Sequence, residues 1–266
     1  KLYWKNNFMA QIYRESINKV AIKKNELTER VNIETIIKNQ SKPRVVKNFF
    51  SSSEVTQLHE LNEKLPITTH NKEQRAIKRR WLQGYNEKLD TIFANRLKNE
   101  VGDYKFDTLK SEDGSDVLGL IQQCYLPLPT HTDTGFNLND IIYKQTLVPL
   151  TPYGQTVIFK NRFYGVATFF TINENELIKD SPNLTLNERC RKSSEHIKYG
   201  ETKEFNPEIH KKYLVHEDIN NLMGLEVEFI FEWSAGDMLI FDRSHLHAAS
   251  SNIKKFKTGI ATFLKK

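Results

Sequence analysis

The feature that most restricts the fold is a change of hydrophobic period part-way along the chain. In the first part, apolar residues recur at helical spacing. Trp4, Phe8, Ile12, Ile17 and Val20 mark a helix within residues 3–24. Val55, Leu58, Leu61 and Leu65 mark a second, which Pro66 ends, and Ser51 stands three residues before Glu54 as a capping box requires. Leu89, Ile92, Phe93, Leu97 and Val101 predict a third over residues 87–101, with Gly102 behind it. Between the first two, Val45, Val46, Phe49 and Phe50 form a short strand-like piece. After "SEDGSD" the pattern becomes β-like. "VLGLIQQCYLPLP", "QTLVPLTP", "QTVIFKN" and "YGVATFFTI" are short apolar runs punctuated by proline and glycine. "VEFIFEW" sets Val227, Phe229, Phe231 and Trp233 against Glu228, Ile230 and Glu232, and "DMLIFD" and "TGIATFLKK" complete the set. Residues 172–222 are polar and weakly periodic. Helices first and strands afterwards predict an α+β fold, with helices packed on one side of an antiparallel sandwich or barrel. No repeat or low-complexity linker divides the chain. The expectation is one domain over 1–266, with a mainly helical support at 1–110 and a β core at 115–266 that carries the insertion 172–222.

Composition narrows the class. The chain has 266 residues, 38% of them hydrophobic and 11% aromatic, which suits a globular protein with a sizeable core. No apolar run approaches the ~20 residues of a membrane span. The opening "KLYWKNNFMA" has no uninterrupted apolar stretch of the secretory kind, and Cys124 and Cys190 make no disulfide framework. A cytoplasmic location is therefore expected, with no membrane partner. The net charge of +6 is spread over scattered lysines, so it reads as solvated surface and argues against a nucleic-acid partner.

"PTHTDTGF", residues 129–136, carries the first chemical signal. If it ends a strand, His131 and Asp133 point to one side. An imidazole and a carboxylate would then converge, as two of the three ligands in the facial triad that holds non-haem Fe(II). A second His-x-Asp, His216 and Asp218, lies in the polar stretch "KKYLVHEDINN", where solvent exposure accounts for it. Downstream, in "SAGDMLIFDRSHLHAASSNIKKFKTGIATFL", a Gly-Asp turn opens an apolar strand that Asp242 ends. His245 and His247 follow, and a later strand contains Lys257.

These segments resemble the Fe(II)/2-oxoglutarate-dependent oxygenases, in particular the phytanoyl-CoA dioxygenase-like branch. There a Gly-Asp turn and apolar strand lead to the distal metal histidine, with a basic residue about ten positions on. "RVVKNFFSSSEVTQLHELNEKL" is also similar to the strand and helix that open many members. The resemblance spans residues 43–264, and its specific parts are the His-Thr-Asp and the Gly-Asp-to-Lys segment. It implies a double-stranded β-helix, a jelly-roll or cupin-like barrel, with the N-terminal helices against one sheet. It implies Fe(II) as metal, with His131, Asp133 and His247 as ligands. His245 is a rival to His247, on the same face if the strand stays regular.

The resemblance further implies 2-oxoglutarate as cosubstrate and O2 as oxidant. Most phytanoyl-type members pair the far carboxylate of 2-oxoglutarate with arginine. No arginine follows Arg243 here, and Lys257 occupies the matching place; lysine supplies the charge without the planar fork. Tyr125 is a second candidate for that carboxylate. The implied activity is hydroxylation of an unactivated C–H bond of a small molecule, with release of succinate and CO2. Halogenating relatives carry a small residue where Asp133 stands, so the aspartate points to hydroxylation. Three alternatives are a protein side-chain hydroxylase, a nucleic-acid demethylase, and a barrel that binds a molecule without turnover. Against the demethylase, the segment after the distal histidine lacks arginine.

Overall fold

The structure is a computed structural model that describes residues 39–71, 76–107, 114–133, 142–162, 203–253 and 255–266. The helix expected within 3–24, the strand-like "YGVATFFTI" and residues 172–202 of the insertion lie outside the described residues. In chain order the elements are β1 (Arg44–Val46), α1 (Ser52–Lys64), β2 (Ile67–Asn71), β3 (Ala76–Leu82), α2 (Glu87–Val101), β4 (Lys105–Phe106) and β5 (Val117–Cys124). There follow β6 (Ile142–Pro149), β7 (Gln155–Arg162), α3 (Pro207–Tyr213), a 3-10 turn (Ile219–Leu222), β8 (Val227–Glu232), β9 (Met238–Asp242), β10 (His245–Ala249) and β11 (Lys257–Lys265).

The strands form two antiparallel sheets. The larger has eight strands, running β1-β9-β6-β11-β5-β3-β2 with β4 on the end of β11, and the smaller runs β10-β7-β8. The stretch expected to be mainly helical thus contributes β2 and β3, which extend the large sheet beyond β5.

Helices α1 and α2 cover the outer face of the large sheet. Leu58, Leu89, Phe93 and Leu97 are fully buried against Trp81, Ile121, Ile260 and Leu264. Truncating a leucine here to alanine costs ~2–5 kcal/mol. The capping box forms as its spacing requires: the Glu54 amide donates to Ser51 Oγ at 3.3 Å and the Ser51 amide to Glu54 Oε2 at 2.7 Å. Arg96 of α2 then binds the same Glu54 at 2.8 Å, which fixes α2 against α1. On the outer face of the small sheet, Val157, Phe159, Leu246 and Ala248 pack under Phe205, Tyr213, Leu214 and Leu222. A third apolar group, Ile158, Phe231, Trp233, Leu239 and Phe241, fills the space between the sheets.

The Gly-Asp turn has a structural cause. Gly236 takes φ +87°, which a side chain disfavours, and it packs against the Phe50 backbone. Its carbonyl accepts from the Phe50 amide at 2.8 Å, and its amide donates to Pro149 O at 3.0 Å. The Asp237 carboxylate receives the Asn48 amide at 2.9 Å and Lys47 Nζ at 2.8 Å. The turn therefore ties the β1 end of the chain to the start of β9.

Candidate metal centre

His131 follows the proline-broken segment after β5 and joins the edge of β10. It pairs directly with His247: the His131 amide donates to His247 O at 2.9 Å, and the His247 amide to His131 O at 3.0 Å. Directly paired residues carry their side chains on one face. The two imidazole rings accordingly lie 4.2 Å apart, centroid to centroid. Asp133 follows two residues on. Its Oδ2 lies 3.1 Å from His247 Nε2 and 3.8 Å from His131 Nε2, and the three prospective ligand atoms all fall within 4.8 Å of one another.

The ring tautomers follow from the backbone. His131 Nδ1 donates to Pro129 O at 2.7 Å, and His247 Nδ1 faces His245 O at 3.2 Å. With Nδ1–H committed to a carbonyl, each neutral ring turns the Nε2 lone pair inward. Two nitrogen acceptors and a carboxylate oxygen then face one another, which is repulsive unless a proton or a metal cation lies between them. Ligands at roughly 2.1 Å from a metal and at right angles stand about 3.0 Å apart, so the 3.1 Å and 3.8 Å separations need only small closure. The donor set fits a facial two-histidine, one-carboxylate metal site.

Electrostatics agree with this picture. Burial pushes His131 down to about 4, the neighbouring His247 adds to this, and Asp133 opposes it. Burial alone would raise the Asp133 carboxyl, but in the metal-free cluster a proton shared with His247, the His131 imidazole and the Gln145 amide hold it well below the usual range. The site is therefore set for neutral His131 and ionised Asp133, the forms that bind metal.

Four residues that sequence reasoning did not single out support the centre or its cavity. Gln145 of β6 donates from Nε2 to Asp133 Oδ2 at 2.9 Å and lies 3.5 Å from His247 Nε2. Arg243, fully buried after β9, donates from Nε to the Asp133 carbonyl at 2.9 Å and is ion-paired with Asp107. The buried Glu217 carboxylate receives both the amide and the hydroxyl of Thr130 at 2.7 Å, which anchors the residue before His131. Glu217 is the middle residue of the second His-x-Asp. Of its flanking pair, His216 lies 3.4 Å from Leu128 O and Asp218 caps the 3-10 turn, so neither joins the centre. The fourth, Trp233, belongs to the cavity floor below. A glutamine inside "KQTLVP" and an arginine directly behind an apolar strand are the signals that could have exposed two of them, because buried polar groups need partners.

His245 does not join either. The pairing of β10 with β7 slips between His245 and His247, a bulge that breaks the alternation placing both on one face. His245 is fully buried, with Nε2 3.1 Å from Glu228 Oε2.

A cavity of about 200 Å³ opens from the triad between the two sheets. Register sets its floor. On β11, Lys257, Gly259, Ala261 and Phe263 face inward, and their partners on β5 and β6 include Cys124, Gln122, Leu120, Leu147 and Gln145. Lys257 is 5% exposed, and its Nζ sits 4.5 Å from the centroid of the Trp233 ring, a cation–π contact. Trp233 is itself fixed by its Nε1–H to Thr156 Oγ1 at 2.9 Å. A Cβ at position 259 would stand 3.1 Å from the Trp233 ring, so glycine leaves room for the indole there. No acid among the described residues pairs with Lys257, and burial pushes its pKa down to about 8. Lys255 is exposed, and Lys254 lies outside the described residues.

Tyr125 does not line this cavity. Alternation turns Cys124 and Gln122 inward and Tyr125 outward. There its hydroxyl receives Gln123 Nε2 at 3.2 Å and its ring lies 5.7 Å from Phe256. Residues 134–141, which follow the His-Thr-Asp, lie outside the described residues. No described helix is long and apolar enough to cross a membrane.

No protein-family profile matches the chain, and no curated protein matches it. Solved structures do. A 2OG-Fe(II) oxygenase family oxidoreductase from Burkholderia pseudomallei is 10% identical over 84% of each chain, with a TM-score of 0.45. The non-heme alpha-ketoglutarate-dependent carbocyclase SnoK from nogalamycin biosynthesis is 14% identical over 90% of this chain and 83% of its own, with a TM-score of 0.46. HygX from Streptomyces hygroscopicus, with nickel and 2-oxoglutarate bound, is 13% identical over 88% of this chain and 86% of its own, with a TM-score of 0.47. What the cavity of the present chain can bind is decided by its own side chains.

Proposed function

We propose that the protein is an Fe(II)- and 2-oxoglutarate-dependent oxygenase of the phytanoyl-CoA dioxygenase-like kind, hydroxylating a small molecule. In this reading the two facing sheets form a double-stranded β-helix, and His131, Asp133 and His247 are the iron ligands. The observation that carries it is the pairing of two features in one cavity. A three-acceptor cluster wants a cation, and a buried lysine with no acid beside it among the described residues wants an anion. A small dianion that chelates the metal at one end and reaches Lys257 at the other answers both. When bound, the iron would couple oxidative decarboxylation of 2-oxoglutarate by O2 to oxidation of a substrate C–H bond, giving succinate, CO2 and an alcohol.

The chain's own contribution is placement. Gln145 and Arg243 fix the Asp133 carboxylate and backbone, and the Nδ1 hydrogen bonds fix both rings. Lys257 fixes the far carboxylate, with Trp233 beneath its ammonium. Leu147, Phe241 and Phe263 supply apolar walls that exclude water from the reacting centre. The cavity volume of about 200 Å³ suits a small cosubstrate rather than a drug-sized ligand. The test is succinate formation from 2-oxoglutarate with Fe(II) and O2, screened for stimulation across small-molecule and peptide libraries. Stimulation by peptides alone would make the substrate a protein side chain. Absence of Fe(II) and 2-oxoglutarate binding would leave a barrel that binds something else.

A further inference from the structure

The inner face of β3 carries two cations that the metal centre does not use. Lys78 pairs with Gln122 of β5, which in turn pairs with Gly259 of β11, so the three share one row of the large sheet. All three line the cavity that holds the triad. Arg80 stands two residues along β3 on the same face, opposite Leu120, another cavity residue. Among the described residues neither cation has an acid within ion-pairing distance, whereas Lys144, Arg162 and Arg243 each have one. The charge of Lys78 is felt across the cavity at His131 and at Cys124.

The charges of the proposed complex already balance without Lys78. A divalent metal and the Lys257 ammonium offset the Asp133 carboxylate and the 2-oxoglutarate dianion. Lys78 is therefore surplus positive charge on a cavity wall once metal and cosubstrate are in place. It also differs from Lys257 in kind. Lys257 is buried, with the Trp233 ring beneath its ammonium and no acid beside it among the described residues, so it is the lysine that demands the cosubstrate carboxylate. Lys78 is half-buried, with access to solvent and to whatever enters the remaining space.

We propose that Lys78, supported by Arg80, forms an anion subsite that receives a carboxylate or phosphate on the substrate, so that the molecule oxidised is an acid. This rests on the oxygenase reading above for the identity of the substrate, but not for the existence of the subsite. A charged contact of this kind fixes the distance from the anion to the oxidised carbon, which is how a small site selects one C–H bond.

The protein is loaded with Mn(II) and saturating 2-oxoglutarate, and two probes are titrated in separate arms: inorganic phosphate followed by 31P relaxation, and acetate followed by 13C relaxation. The paramagnetic metal enhances relaxation only of an anion held near it. The expected result is enhancement for at least one probe, with its affinity lowered at least tenfold in Lys78→Gln, less in Arg80→Gln, and restored in Lys78→Arg. The affinity for 2-oxoglutarate should stay within twofold in all three. The arm that responds says whether the group is a phosphate or a carboxylate. Enhancement with neither probe, or enhancement that Lys78→Gln leaves unchanged, overturns the subsite. A loss of 2-oxoglutarate binding in Lys78→Gln but not in Lys257→Met also overturns it, by exchanging the roles of the two lysines.

If Mn(II) does not bind, the oxygenase reading fails, and the subsite is decided in metal-free Lys257→Met protein by calorimetric titration of phosphate and acetate. Binding there that Lys78→Gln removes upholds the subsite, and no binding overturns it.

Discussion

Lys257 is a buried cation whose charge costs the ligand-free protein stability. Burial lowers its pKa from the ordinary 10.5 to about 8. The unfolded chain therefore keeps this proton up to about pH 10.5, and the folded chain only to about pH 8. Between those values the unfolded state binds more protons, so stability rises with pH across the window. Below pH 8 the whole penalty is present, and above 10.5 it is gone. A gap of 2.5 units (10.5 minus 8), at about 1.4 kcal/mol each, amounts to roughly 3–4 kcal/mol at pH 7. Lys257→Met keeps the length of the stem and removes the charge. It should make the metal-free protein roughly 3–4 kcal/mol more stable at pH 7 but less than about 1 kcal/mol more stable at pH 10. Urea unfolding measures both, with a midpoint shift at pH 7 of roughly 1–2 M. Measured against the metal-loaded protein, 2-oxoglutarate at a hundred times its wild-type dissociation constant should add about 2.7 kcal/mol to the wild type and much less to the variant. A variant less stable than wild type at pH 7, or a difference that does not shrink with pH, would refute the idea of an uncompensated buried ammonium.

Three further outcomes test the metal centre. His131→Ala, Asp133→Ala and His247→Ala should each abolish Mn(II) binding measured by calorimetry, and a variant that binds with wild-type affinity removes its residue from the ligand set. Gln145→Leu should lower metal affinity roughly 10- to 100-fold, because Asp133 loses the side-chain amide that donates to it. The melting temperature should hold or rise, since the substitution also removes the buried, unpartnered Gln145 Oε1. Arg243→Met should cost about 3–5 kcal/mol in urea unfolding, because it strands Asp107 and frees the Asp133 carbonyl. The double variant with Asp107→Asn should recover part of that loss, and no recovery would mean that the ion pair is not the cause.

Where local rules of sequence hold, the fold was legible. The Ser51/Glu54 capping box and the leucine spacing behind it specify α1, and the five apolar positions before Gly102 specify α2. The alternation in "VEFIFE", interrupted by Ile230, marks β8. β3 was not legible. In "AIKRRWL" three consecutive cations break the alternation, and only Ala76 and Trp81 are buried. Its inward-facing lysine lines a cavity instead of packing in a core, so the residue that makes the strand interesting is the one that hides it. β2, "ITTHN", is an edge strand with little apolar content to announce it.

The candidate site divides along the same line. His131 and Asp133 are close in sequence and needed only parity, whereas the choice between His245 and His247 turns on a bulge that no residue type announces. Tyr125 shows the reverse failure. Parity alone places it opposite Cys124, but the prolines at 127 and 129 break the strand before His131, so parity could not be carried from the triad back to β5. Gln145 and Arg243 come from β6 and from the turn after β9, and they meet Asp133 only because β9 and β6 pair with Lys144 opposite Asp242 and Gln145 opposite Phe241. That register is fixed by apolar burial on the outer face, where Ile240 packs in the helix-covered core while Phe241 looks into the cavity. A slip of one residue along β6 would turn Gln145 into the helix core and Thr146 toward the His131, Asp133 and His247 cluster, and the carboxylate would lose its amide donor. The outer face, covered by α1 and α2, thus decides where the polar groups of the inner face stand, although none of its residues touches the metal centre.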